Sequence, residues 1–104
     1  MQLVLCTAPD IACARGIAQL LVERRLAACV NLVRGLRSIY RWNDQVEQAD
    51  EVLLLIKSTP DRFDEICKVV KERHPFDVPE ILSTNVDQAL PAYLSWVNES
   101  CARL

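Results

Sequence analysis

The sequence predicts an α+β fold, four strands and two helices in the order β-α-β-β-α-β with an extra helix at the C-terminal end. Three observations carry that prediction. Short aliphatic segments alternate with stretches whose apolar residues recur at helical spacing. Proline and capping residues mark the junctions between them. Two long extended arms flank the pair Asn43-Asp44, which tolerates a tight reversal.

Gln2 to Thr7 is short and aliphatic, and Ala8-Pro9-Asp10 interrupts it with a helix breaker followed by a good N-cap. From Ile11 the residues Ala14, Ile17, Ala18, Leu21 and Val22 follow a helical stripe. Arg24 and Arg25 suit the negative end of that helix. Cys29 to Trp42 is extended, with Gly35 marking a bulge or bend, and Val46 to Lys57 returns as its hairpin partner.

Ser58-Thr59-Pro60-Asp61 opens the second helix, with Thr59 as cap and Pro60 at the first helical position. Phe63, Ile66, Cys67 and Val70 repeat at helical spacing and His74 continues the stripe. Pro75 stops the helix, because the residue before a proline is pushed out of α geometry. Glu80 to Val86 is the fourth strand. Tyr93, Leu94, Val97 and Cys101 line one side of the last helix. This order is the split βαβ arrangement called ferredoxin-like.

Composition narrows the function. A length of 104 residues and a hydrophobic content of 51% imply one packed domain over 1–104. Twelve basic residues against fourteen acidic ones give a net charge of -2, which provides no field to gather nucleic acid or anionic lipid. The longest apolar runs, Leu26 to Val30 and Val52 to Ile56, fall far short of the ~20 residues of a membrane helix. Five cysteines, odd in number and without a C-x-x-C pair, imply neither a disulfide framework nor a zinc ribbon and place the chain in a reducing cytoplasm. Cys6 superficially resembles a lipoprotein cleavage site, but no basic segment or adequate apolar stretch precedes it. There is no nucleophile elbow and, with two glycines, no phosphate-cradling loop, so the chain is expected not to be an enzyme.

In this topology both crossover helices cover one sheet face and leave the other bare. Val52 to Ile56 is apolar on both alternating faces, so the bare face is expected to meet another subunit, the alternative being the C-terminal helix folding over it. Burying Leu53 and Leu55 would contribute about 1.5 to 3 kcal/mol each. Strand direction also brings Cys6, His74 and Glu80 to one end of the sheet, with Tyr40 and Trp42 toward the same end and Lys57 at the other. Tyr40 and Trp42 read as the floor of a small-ligand cleft or as interface packing.

Four segments, VLCTAPD (Val4 to Asp10), RLAACVN (Arg25 to Asn31), SIYRW (Ser38 to Trp42) and HPFDVPEI (His74 to Ile81), resemble in order and spacing the CutA divalent-cation tolerance proteins, and YLSWV (Tyr93 to Val97) fits as well. The resemblance implies a homotrimer related in fold to the PII signalling proteins and a copper-binding role linked to metal tolerance, as described for some members. The family's proposed copper ligands are a cysteine in the first segment and two adjacent histidines before the proline of HP. They correspond to Cys6 and His74, with Arg73 in place of the first histidine. A guanidinium cannot coordinate and sets a positive charge beside the ion. Phe76 stands where tyrosine is usual and Arg34 where proline is common. The alternative reading of the pair is a buried strand cysteine and a histidine at a helix C-terminus.

Overall fold

A computed structural model describes residues 1–104. Its elements are β1 (Gln2–Ala8), α1 (Ile11–Glu23), β2 (Cys29–Trp42), β3 (Gln45–Ser58), α2 (Phe63–Arg73), β4 (Ile81–Asn85) and α3 (Pro91–Ser100). The sheet is antiparallel throughout, in the order β2-β3-β1-β4, so the ferredoxin-like arrangement holds.

Local chemistry sets the boundaries. Asp10 caps α1 by accepting from the Cys13 amide at 2.8 Å. Asn43 and Asp44 both have positive φ, 50° and 61°, the geometry of a two-residue hairpin turn. The bulge falls between Val33 and Leu36, where Gly35 sits at φ 83°. Beyond it the two strands of 14 residues project past the rest of the sheet, and the molecule is 45 Å long.

Four details differ from the sequence expectation. The fourth strand is Ile81–Asn85 rather than Glu80 to Val86; the Val86 amide leaves the ladder for the Met1 carbonyl. The second helix opens as a 3-10 turn over Pro60–Arg62, and Thr59, though extended, makes no side-chain capping bond. His74 has left the helix, with φ -87° and ψ 137° as its position before Pro75 demands, although its amide still reaches the Val70 carbonyl at 2.8 Å.

The fourth difference concerns the arginines. Arg25 does not serve its own helix: at φ 60° it turns the chain away from α1, and its guanidinium donates to the carbonyls of Glu99 (2.7 Å) and Ala102 (3.3 Å) at the end of α3. Buried Arg62 donates twice to the Cys101 carbonyl, at 2.9 and 3.0 Å. The orphan carbonyls of α3, which has no basic residue in its last turn, are thus satisfied from two distant elements.

The core lies between the sheet and two helices. Val4, Cys6 and Ala8 of β1 and Val52, Leu54 and Ile56 of β3 meet Ala14, Ile17 and Leu21 of α1 and Ile66, Val69 and Val70 of α2. The opposite face presents Leu3, Leu5, Leu53 and Leu55, each half-buried, with Leu82 exposed. α3 does not close this face: its Val97 and Cys101 form a separate cluster with Ala28, Met1 and Tyr93, and none of those leucines belongs to it.

Removing the Arg62 guanidinium strands the Cys101 carbonyl without a donor. Arg62→Met should therefore lower the unfolding free energy by about 2 kcal/mol. Urea unfolding at fixed protein concentration checks this, and an unchanged midpoint would show that α3 is anchored elsewhere.

Candidate functional site

The end of the sheet where β1 finishes and β4 begins collects the residues singled out from the sequence. β1 delivers Cys6, α2 ends on His74, and the segment Pro75–Glu80 leads into β4, whose Ile81 lies opposite Cys6. Cys6 and His74 do come together, on a single atom. The Thr7 carbonyl oxygen accepts from His74 Nε2 at 2.7 Å and from the Cys6 thiol at 3.7 Å.

That contact settles the imidazole's protonation. A carbonyl only accepts, so Nε2 carries the proton, and Nδ1 accepts from the Phe76 amide at 3.1 Å. His74 is then a neutral ring with both nitrogens engaged, its plane tilted by 58° to the Phe76 ring at a centroid separation of 4.8 Å. It fastens the end of α2 to β1 and fixes where the Pro75–Glu80 segment begins.

Cys6 is inaccessible to solvent. Burial, reinforced by the nearby Glu80 carboxylate, pushes its thiol up to about 12. No group of three or more His, Cys, Asp or Glu side chains is gathered closely enough to hold an ion. As they stand, a protonated buried thiol and a doubly bonded imidazole do not fit a metal, which needs a thiolate and a free nitrogen lone pair. Arg73, in the position of the missing histidine, is exposed on the last turn of α2.

Tyr40 and Trp42 lie at this end too. They face Pro75–Glu80 across a cleft of about 770 Å³, with Ser38 and Glu51 on the hairpin side and Thr7 lining it. Ser38, Tyr40 and Trp42 alternate on one strand face, which is the sheet face without helices. Lys57 is at the far end, bonded to Asn31 Oδ1 and 3.8 Å from Cys29 Sγ. Of the cleft residues, Thr7, Glu51 and Asp77 were not singled out from the sequence. The register that pairs Leu36 with Glu51 depends on the bulge, whose position Gly35 alone signals.

The Cys6 thiol makes stability depend on pH in a fixed direction. Its pKa is raised on folding, so its contribution is complete below pH 9.0 and is lost as pH rises toward about 12. The loss approaches about 1.4 kcal/mol per pH unit in that window. Cys13, Cys67 and Tyr93 are also raised, mainly by burial, and act with the same sign. Cys6→Ala should therefore flatten the alkaline fall of the unfolding free energy without abolishing it; an identical slope would mean that Cys6 ionises freely in the folded chain.

Comparison with known proteins adds an independent line. A family model described as "CutA1 divalent ion tolerance protein" matches residues 2–100. The divalent-cation tolerance protein CutA of Pectobacterium atrosepticum is 46% identical over 97 residues, covering 93% of this chain and 88% of that protein. Its namesake from Thermus thermophilus is 46% identical over 99 residues, 95% of this chain and 96% of the relative. The solved structure of a Thermus thermophilus divalent cation tolerance protein superposes with a TM-score of 0.95 at 46% identity, covering 98% of this chain and 100% of that one. A structure from Archaeoglobus fulgidus, described as a periplasmic divalent cation tolerance protein, also reaches 0.95 at 31% identity, over 98% of this chain and 100% of that one.

Proposed function

The chain belongs to the CutA1 divalent ion tolerance family, and on that footing we propose that it is a cytoplasmic divalent-cation tolerance protein, acting as a homotrimer of single domains over 1–104 that binds copper and catalyses no reaction. The match across residues 2–100 carries this reading. No helix is long and apolar enough to cross a membrane.

The trimer is supported by the open sheet face. Leu3, Leu5, Leu53 and Leu55 are already half-buried within one chain, so removing their remaining area from water contributes about 1 kcal/mol each. That is too little alone against the roughly 4 kcal/mol or more that association costs. The projecting hairpin supplies the rest: Ile39 and Val46 are 66% and 67% exposed. Leu55→Asp should convert the trimer to monomer in light scattering while leaving the helix-covered core intact. A wild-type chain that stays monomeric at micromolar concentration would defeat the proposal.

Copper contact at Cys6 and His74 requires the Thr7 junction to open. The imidazole must release one hydrogen bond and the thiol its proton, so affinity is weak and rises with pH. Titration of metal-free protein with Cu(I) under a competing chelator should give saturable binding that Cys6→Ser and His74→Ala abolish and Arg73→His tightens. Binding indifferent to all three substitutions would refute the assigned ligands.

A second reading, a PII-like regulatory or anchoring scaffold that receives a small ligand or partner segment at an intersubunit cleft, is favoured by one observation. Tyr40 and Trp42 line a cleft on the sheet face that assembly would border.

A further inference from the structure

The chemistry of that cleft selects its ligand. Six of the residues around it can make specific contacts: the rings of Tyr40, Trp42 and Phe76, and the carboxylates of Glu51, Asp77 and Glu80. No lysine or arginine lines it. The rings remain open, at 42%, 57% and 46% exposure, so their faces are available to a guest. Beneath them Thr7, only 8% exposed, lines the cleft; its carbonyl accepts from His74 and Cys6, and its hydroxyl makes no hydrogen bond within the chain.

Three acids without a base create a negative potential that a cleft concentrates. The natural response to such a cluster is a metal ion, but here the carboxylates are too dispersed to share one. Dispersed carboxylates suit separate positive charges on one molecule better than a single ion. Aromatic faces attract ammonium groups and cover methylene chains, which a hydrated metal ion cannot exploit. The Thr7 hydroxyl, free of partners within the chain, gives an N–H donor an acceptor at the floor.

We propose that the cleft binds a linear aliphatic polyamine, its ammonium groups paired with Glu51, Asp77 and Glu80 and its methylenes against Tyr40, Trp42 and Phe76. This names the ligand of the scaffold reading and rests on it, independently of the Cys6–His74 site. The volume of about 770 Å³ is within the usual range for small-molecule sites.

The test is titration of the assembled protein with spermidine, following Trp42 emission in a Trp96→Phe background, with calorimetry for stoichiometry. Saturable binding at one molecule per chain is expected, weakened by added salt, unmatched by magnesium at equal concentration, and reduced about tenfold in Glu51→Gln/Glu80→Gln. Trp42→Leu, followed by calorimetry, should weaken it about fivefold. Equal responses to spermidine and magnesium, or unchanged affinity in the double variant, would overturn the proposal. A parallel thermal-shift panel of nucleotides and organic anions separates the two levels of inference. Stabilisation by an anion with none by spermidine overturns the polyamine and keeps the ligand cleft, whereas silence toward every probe, or a structure of the assembly with a neighbouring subunit's side chains filling the space, ends both.

Discussion

Strand β3 has a neighbour on each edge and apolar side chains on each face, and a strand in that position is stable only if both faces leave water. Within one chain half of that requirement is met. Val52, Leu54 and Ile56 are sealed under α1 and α2, while Leu53 and Leu55, one residue out of phase, remain half-exposed beside Leu3 and Leu5 of β1. The same parity that buries one set lifts the other toward the open side. Beyond the bulge, the open-side row continues through Glu51 and Ala49 to the tip, so the face available for assembly and the wall of the cleft are one continuous surface.

The Thr7 carbonyl governs the other half of the site. A main-chain acceptor near the end of a central strand holds the only histidine in the chain, and the histidine in turn positions Phe76 through its second nitrogen. This junction explains how one residue can serve two readings that compete. The hydrogen bonds that make His74 a good clamp are the ones that deny its lone pairs to a metal, and the packing that buries Cys6 keeps its thiol protonated. Metal binding and an intact junction are alternatives on this geometry.

What the sequence made legible was what depends on neighbours along the chain. Asp10 before a helical stripe, Asn43-Asp44 between extended arms, Gly35 at the bulge and Pro75 after α2 each act through their own backbone, and each lies where those local rules put it. The roles of Arg25 and Arg62 were not legible, because both serve carbonyls of α3 more than 35 residues away and nothing local distinguishes them from other arginines. Thr59 carried a capping signal, but the chain entered a 3-10 turn there and the side chain went unused. Strand direction sufficed to gather Cys6, His74 and Glu80. It could not reveal that His74 and Cys6 would meet on a shared carbonyl, since side-chain direction at a helix cap is decided by what it packs against.

Glu51 and Asp77 escaped notice for a related reason, and the metal reading rested on the family resemblance and on Cys6 and His74 alone. Considered alone, Cys6 and His74 suggest a soft ion, and Glu80 beside them a further ligand. With Glu51, Asp77 and three aromatic rings included, the negative charge lies in the open cleft, while the thiol–imidazole pair carries none. A compact divalent ion favours donors converging on one point, whereas dispersed carboxylates with apolar surface between them favour charges separated by a flexible hydrocarbon. The distinction turns on spacing and not on charge, which is why a list of acidic residues could not supply it and the folded geometry could.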